Sequence, residues 1–161
     1  HPGALGRLAT SAGLGEREVV ILASIIEKEA RVPAERALMA GVFLNRLTLA
    51  SFAPARHLQA DPTIVYGCLL SPEIPSCAQM AGRLTSTQTE DAANPYNTYR
   101  HPGVPPGPIC NPGLASIEAV LAPAQTTFLY FVARGDGTHA FSETYEQHSQ
   151  AARPHRRRRR R

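Results

Sequence analysis

Within Leu22-Ala23-Ser24-Ile25-Ile26-Glu27-Lys28-Glu29, two carboxylates stand two residues apart at the end of an apolar run. On a helix such a pair points about 200° apart, so the two cannot share one site. Glu29 continues the stripe Val19, Leu22, Ile25 and Ile26, which recurs at helical spacing, whereas Glu27 lies toward the other flank. A carboxyl at the end of an apolar stripe loses hydration, which disfavours its charged form and raises its pKa. That is the property of a general acid able to protonate a glycosidic oxygen near neutral pH. The same position also suits a helix-end carboxylate paired with Arg46 of a following helix, and periodicity alone does not choose between the two.

Polar and aromatic side chains able to grip a sugar chain gather in two short stretches. Leu58-Gln59-Ala60-Asp61-Pro62-Thr63 contributes Gln59, Asp61 and Thr63, and Asn94-Pro95-Tyr96-Asn97-Thr98-Tyr99-Arg100 contributes Tyr96, Asn97, Thr98 and Tyr99. Amides, hydroxyls and flat rings suit neutral ligands rich in hydroxyls, and together with a buried acid they predict a cleft. Each stretch taken singly also reads as turn chemistry, and Asp61 as the N-cap of a helix with Pro62 at its first position. Other chemistries find no support. Gly-x-Ser-x-Gly, a phosphate loop and a dinucleotide fingerprint are missing. The six histidines and three cysteines show no zinc spacing, so neither metal nor cofactor is expected.

The elements that must carry these groups follow from the same patterns. The acidic stripe predicts a helix from Glu16 to about Arg31, stopped because Val32 before Pro33 must be extended. Ala37 to Leu47 predicts a second helix, crossing or antiparallel to the first. Thr48 to His57 reads as a loop, Thr63 to Leu69 as a helix, and Ser71 to Ala93 has little periodicity. Residues 94–113 hold six of the fourteen prolines, which predicts an ordered binding loop. Leu114 to Leu121 is a short helix; Phe128 to Val132 and Thr138 to Phe141 form a hairpin about Gly135-Asp136-Gly137; Glu143 to Ala152 is a last helix. Helices first and a late hairpin give an α+β fold, helices packed around a cleft.

The chain has 161 residues and a formal charge of +4, but the charge is unevenly placed. Residues 153–161 carry seven arginines and no acid, leaving ten basic against thirteen acidic side chains in the body. The expected organisation is therefore a domain over 1–152 and a solvated, disordered arginine tail over 153–161. An acidic body without a basic, aromatic surface argues against nucleic acid as a partner. No apolar run is long enough to span a bilayer. The start, His1-Pro2-Gly3, lacks Met and any targeting pattern, so a fragment is expected. Cys68 and Cys77 close a short loop if the compartment is oxidising; otherwise Cys68, Cys77 and Cys110 are three unpaired thiols.

Six stretches in order, from Leu22–Glu29 and Val42–Leu47 through Leu58–Gly67, Tyr96–Tyr99 and Gly103–Gly113 to Leu129–Ala133, resemble the MltG-type (YceG-like) endolytic murein transglycosylases of bacteria. The resemblance implies a lytic-transglycosylase, lysozyme-like catalytic domain that cuts peptidoglycan glycan strands between MurNAc and GlcNAc, leaving 1,6-anhydro ends. One glutamate of the Glu-Lys-Glu motif would act as acid and then base, here Glu29 with Glu27 as the alternative. It also implies a place at the extracytoplasmic face of the bacterial inner membrane, an anchor outside this sequence, and cell-wall synthesis proteins as further partners. The segments Thr48–His57 and Leu69–Arg83 and the polyarginine end depart from the family pattern. The rival expectation is a glycan-binding module that kept the groove without the chemistry.

Overall fold

The computed structural model describes residues 13–158. Helix α1, Glu16–Glu29, starts where Glu18 folds back to accept the Gly15 N–H at 2.9 Å, and its first turn carries Glu16 and Glu18 at the positive end of the helix dipole. It ends at Glu29 because Val32 is held extended ahead of Pro33, which opens a 3₁₀ turn over Pro33–Glu35. Helix α2, Arg36–Thr48, follows directly. Val19, Leu22, Ile25 and Ile26 are all at most 1% exposed and meet Met39, Phe43 and Leu47 of α2 in the main core.

Helix α3, Asp61–Leu70, starts one residue earlier than the capping reading of Asp61 requires. Ala60 is the residue flanking its start, Asp61 and Pro62 lie in the first turn, and Thr63 Oγ donates to the Ala60 carbonyl at 2.7 Å. The region without periodicity is built from two single turns, α4 (Pro75–Ala78) and α5 (Ser86–Thr89), too short to show any. It is organised instead by a disulfide between Cys68 and Cys77, Cα atoms 4.9 Å apart, and by buried Gln88, whose amide reaches the Ser76 carbonyl at 2.7 Å. Ile64, Cys68 and Cys77 form a second small core, with Tyr99 packed against it.

The proline-rich segment lies alongside α1 as a strap. Arg17 donates to the Pro106 carbonyl, Ser24 Oγ accepts the Ile109 N–H at 2.9 Å, and Glu27 accepts the Gly113 N–H at 3.2 Å. Helix α6, Leu114–Leu121, then packs on α1 and α2. Strands β1 (Tyr130–Ala133) and β2 (His139–Ser142) pair antiparallel, Tyr130 opposite Ser142 and Ala133 opposite His139. Gly135 and Gly137, at φ +89° and +95°, make the turn between them. The hairpin is fixed to the helices by Asn45, whose amide donates to the carbonyls of Thr126 and Phe128, and by Glu35, which accepts from both the backbone and the ring of His139. The architecture is α+β, as the order of elements predicts.

Helix α7 spans Tyr145–Arg158, past the expected stop at Ala152. No helix breaker precedes Pro154, arginine is a good helix former, and the helix carries Pro154 in its interior, where the proline lacks the N–H of a ladder bond and its ring crowds the carbonyl four residues back. Residue 1, where the domain is expected to begin, and arginines 159–161 lie outside the described residues. No helix among the described residues is long and apolar enough to cross a membrane.

Candidate active site

The two glutamates of α1 occupy opposite surroundings, as their spacing requires. Glu27 Oε2 accepts the Ser116 hydroxyl at 2.5 Å and the Gly113 N–H at 3.2 Å, so it satisfies groups at the start of α6 that no intrahelical bond can satisfy. These donors, Ser116 foremost, hold the Glu27 carboxyl below the usual range. Glu29 makes no hydrogen bond or ion pair with any described residue. It is half-buried at the last turn of α1, where loss of hydration, reinforced by the charge of Asp61 and opposed by Arg46, pushes its carboxyl up to about 7.

Arg46 does not form the ion pair with Glu29 that a purely structural reading of the acid requires. It is 5% exposed and donates its Nε to the Leu129 carbonyl at 2.7 Å and its Nη1 to the Leu58 carbonyl. Its guanidinium carbon lies 5.3 to 6.0 Å from the ring centres of Phe43, Phe52, Tyr130 and Phe131. Burial pulls its pKa down to about 10, still charged at neutral pH. The residue joins α2, the Leu58 segment and the hairpin while leaving a positive field near Glu29.

The predicted wall divides into a front and a back. Asp61 is exposed, and its Oδ1 accepts the Tyr99 hydroxyl at 2.7 Å. Burial, then the charge of Asp61 and the bond to it, raise the Tyr99 hydroxyl well above its ordinary pKa, so it remains a donor. Gln59 is half-buried, and its backbone is left-handed at φ +52° with its N–H on the Thr98 carbonyl at 3.1 Å. Thr63, Asn97 and Thr98 are at most 1% exposed and stand behind this surface. Their polar groups are spent on the protein: Thr98 Oγ takes the Ala60 N–H and meets Thr63 Oγ at 2.9 Å. The Asn97 amide donates to the carbonyls of Gln88, Thr89 and Asp91 and accepts the Tyr99 N–H. The expectation that these three face a ligand is therefore corrected to support from behind. Tyr96 packs edge-on against Tyr66, ring centres 5.1 Å apart, beside the main core.

Two cavities flank the Asp61–Tyr99 bond. One of about 400 Å³ lies by Lys28, Asp61, Val65, Tyr66 and Ile109, and one of about 500 Å³ by Arg46, Gln59, Tyr99, Tyr130 and Tyr145. Sequence reasoning named Arg46 only as an ion-pair partner of Glu29, missing the role it has in joining the elements of the site, and it missed Asn94 as an anchor. A lone arginine among Phe43, Leu44 and Leu47 is the signal for the first. Asn94 takes the Tyr96 N–H at 3.0 Å and donates to the Ile64 carbonyl at 3.1 Å, and the asparagines three residues apart in the loop are its signal.

Residues 4–154 match the model of the YceG-like family. The chain belongs to that family. It is 37% identical over 134 residues to the endolytic murein transglycosylase of Bacillus subtilis strain 168, covering 83% of this chain and 33% of the relative. It is 31% identical over 152 residues to the endolytic murein transglycosylase of Streptococcus pneumoniae D39, covering 90% of this chain and 25% of the relative. The chain thus spans a third or less of the length of these relatives. A crystal structure of a YceG-like protein from Listeria monocytogenes superposes with a TM-score of 0.69 at 35% identity, covering 89% of this chain and 41% of that one.

Proposed function

We propose that this YceG-like chain carries the catalytic machinery of an endolytic peptidoglycan lytic transglycosylase, with Glu29 as its single acid and base. The observation that carries the reading is the Glu29 carboxyl itself: half-buried at the last turn of α1, without a hydrogen bond or ion pair to any described residue, and raised to about 7. At neutral pH a large share of it holds a proton to give, which an ordinary surface glutamate does not. Glu29 protonates the oxygen between MurNAc C1 and the GlcNAc unit, and the C1–O bond breaks. The resulting Glu29 carboxylate removes the proton of the MurNAc 6-hydroxyl, whose oxygen bonds to C1 and closes the 1,6-anhydro ring. Proton and electron pair both return, so the chemistry consumes no water and needs no cofactor. The same acid at a helix end facing a groove is what makes the site lysozyme-like in this reading.

The field around Glu29 fits both halves of the cycle. Asp61, held by the Tyr99 hydroxyl, favours the protonated acid, and Arg46 favours the carboxylate that must serve as base. Gln59, Asp61 and Tyr99 form the glycan-facing wall, and Tyr96, Asn97, Thr98 and Thr63 fix its shape. The relatives named as murein transglycosylases support a peptidoglycan substrate and an extracytoplasmic location. The Cys68–Cys77 disulfide agrees with such an oxidising compartment. A place at the inner membrane and contact with wall-synthesis proteins belong to the same proposal.

Asp61 favours one second reading. The fold brings this exposed carboxylate close enough to act on Glu29, and paired carboxylates also serve hydrolysis. Incubation with uncrosslinked glycan strands in heavy-oxygen water, followed by mass spectrometry of the new ends, decides between them. Unlabelled anhydro ends are expected. Labelled reducing ends would establish hydrolysis, and binding without new ends would establish a glycan-binding module.

A further inference from the structure

Helix α7 packs on both strands of the hairpin, but only along its first turns. Among the described side chains Ala152 is the last that is buried, and Arg153 and Pro154 are exposed. The helical backbone nevertheless continues to Arg158. At the rise of an α-helix this carries the chain about 9 Å past its last buried side chain. No acid follows Glu146, and arginine fills position 153 and every position from 156 to 161. The body before residue 153 has ten basic against thirteen acidic side chains, so charge is segregated along the chain. Arg153 makes no ion pair with any described residue. A dense positive end held beyond an acidic body attracts an extended negative surface from outside.

Composition and compartment select among polyanions. Binding of single-stranded nucleic acid draws on aromatic rings that stack with bases, and no Phe, Tyr or Trp follows Tyr145. The Cys68–Cys77 disulfide agrees with an oxidising compartment, where the phosphate-rich surface at hand is a lipid bilayer. We propose that the arginine end of α7 docks on the phosphate headgroups of an anionic membrane. Guanidinium groups donate in pairs to phosphate oxygens, which suits arginine better than a point charge. Six arginines in succession include no apolar residue to enter hydrocarbon, so the contact stays at headgroup level, reversible and weakened by salt. It is separate from any membrane anchor that the family implies, because the segment that makes it departs from the family pattern. One consequence rests on the glycan reading. Tyr145, at the other end of α7, lines the cavity of Gln59 and Tyr99, so the helix keeps the cleft within about 20 Å of the docked end and directs cutting to strands near the membrane.

The full chain is mixed with vesicles of phosphatidylcholine alone and with vesicles of phosphatidylcholine and phosphatidylglycerol in equal parts, and the bound share is read by sedimentation. Binding is expected to the anionic vesicles only, and to fall at least about tenfold when salt rises from about 0.1 M to about 0.5 M. Exchange of all six arginines at 156–161 for glutamine, Arg156→Gln through Arg161→Gln, should weaken it at least about 10²-fold, since each arginine at a charged surface contributes about fivefold. The melting temperature should not change. Lysine at the same six positions keeps the charge and should retain binding. Equal binding to neutral and anionic vesicles, or undiminished binding by the glutamine variant, would overturn the docking surface. So would tighter binding to a single-stranded polynucleotide than to the vesicles at equal phosphate, which would make nucleic acid the partner. Glycan strands attached to a vesicle lipid test the consequence: the natural chain should cut them faster than free strands, and the glutamine variant should cut both alike. If vesicles bind as described but no strand is cut, the transglycosylase reading fails and the docking surface stands. If free strands are cut by a chain that binds no anionic vesicle, the reverse holds.

Discussion

Two carboxyl groups of one helix, a single residue between them, are driven in opposite directions by what the chain lays beside them. On the strap side, Glu27 accepts from Ser116 and Gly113 and is held ionised; on the cleft side, Glu29 accepts from no described residue and is pushed toward its protonated form. Both belong to Glu-Lys-Glu, so residue type cannot explain the difference. The helical period turns one toward the donors at the start of α6 and the other toward Asp61 and Arg46. A carboxyl becomes a structural cap or a proton donor according to whether hydrogen bonds reward its charged form or burial penalises it.

Exchanging each acid for its amide breaks the comparison most sharply. Glu29→Gln keeps shape but cannot give a proton, and strand cutting is expected to fall at least about 10²-fold, read as new chain ends per unit time. Its fold should hold or gain stability above pH 7. Because the folded pKa of Glu29 is raised above its ordinary 4.5, the natural chain has its full stability below that value and loses part of it as pH rises through about 7. The amide removes this loss, about 1–3 kcal/mol in a denaturant titration. Undiminished cutting by Glu29→Gln alongside inactivity of Glu27→Gln would reverse the two roles.

The next effect concerns what holds the cleft side. Tyr99, which donates to Asp61, packs on the small core of Ile64, Cys68 and Cys77, so the disulfide supports the surroundings of Glu29 and not those of Glu27. Replacing both cysteines by serine frees a short closed loop in the unfolded chain and is expected to cost about 2–3 kcal/mol. Cutting should suffer with it, while hydrogen-exchange protection at the start of α6 should be unchanged. Equal loss of protection on both sides would show that the two regions are one cooperative unit.

How much of this was legible in the chain depends on the length of the elements. The stripe of α1, the turn forced by Val32-Pro33 and the glycine-flanked hairpin each rest on local periodicity or backbone restriction, and they stand within one or two residues of expectation. Glu29 on the core-facing side of α1 was legible for the same reason. The segment from Ser71 to Ala93 was not, because single helical turns held by a disulfide and by Gln88 have no period to read. Nor could spacing tell that Asn97 and Thr98 face inward: in a loop the backbone partners decide direction, and those are the carbonyls of Gln88, Thr89 and Asp91 and the N–H of Ala60.

A smaller change tests the strap side. Glu27→Gln exchanges a charged acceptor for a neutral one at the start of α6, and stability should fall by about 1 kcal/mol at neutral pH with cutting retained. The sign of its pH dependence is opposite to that of Glu29. A depressed folded pKa means that the Glu27 contribution is present above 4.5 and lost as pH falls through the lower folded value, so natural and variant chains should converge in acid. Ser116→Ala should reproduce part of the loss, since the hydroxyl is the first cause of the depression.

The smallest effect is also the most discriminating, because it moves the acid without touching it. Asp61→Asn can still accept the Tyr99 hydroxyl through its amide oxygen, so the wall should keep its shape. What disappears is a negative charge that, after desolvation, is the second cause of the raised Glu29 pKa. Desolvation remains and Arg46 still opposes it, so the Glu29 pKa should drop while staying above its ordinary value. If protonated Glu29 starts the reaction, the alkaline limb of kcat/KM, near pH 7 in the natural chain, moves toward acid by less than about one pH unit, and the rate below the limb is preserved. The part of the stability lost between pH 4.5 and 7 should shrink with it, since the same shift governs both. An unmoved limb would mean that Asp61 does not act on Glu29 through its charge. Near-complete loss of cutting at every pH would instead make Asp61 a direct participant, as the activator of an attacking water, and would turn the site from a transglycosylase into a hydrolase.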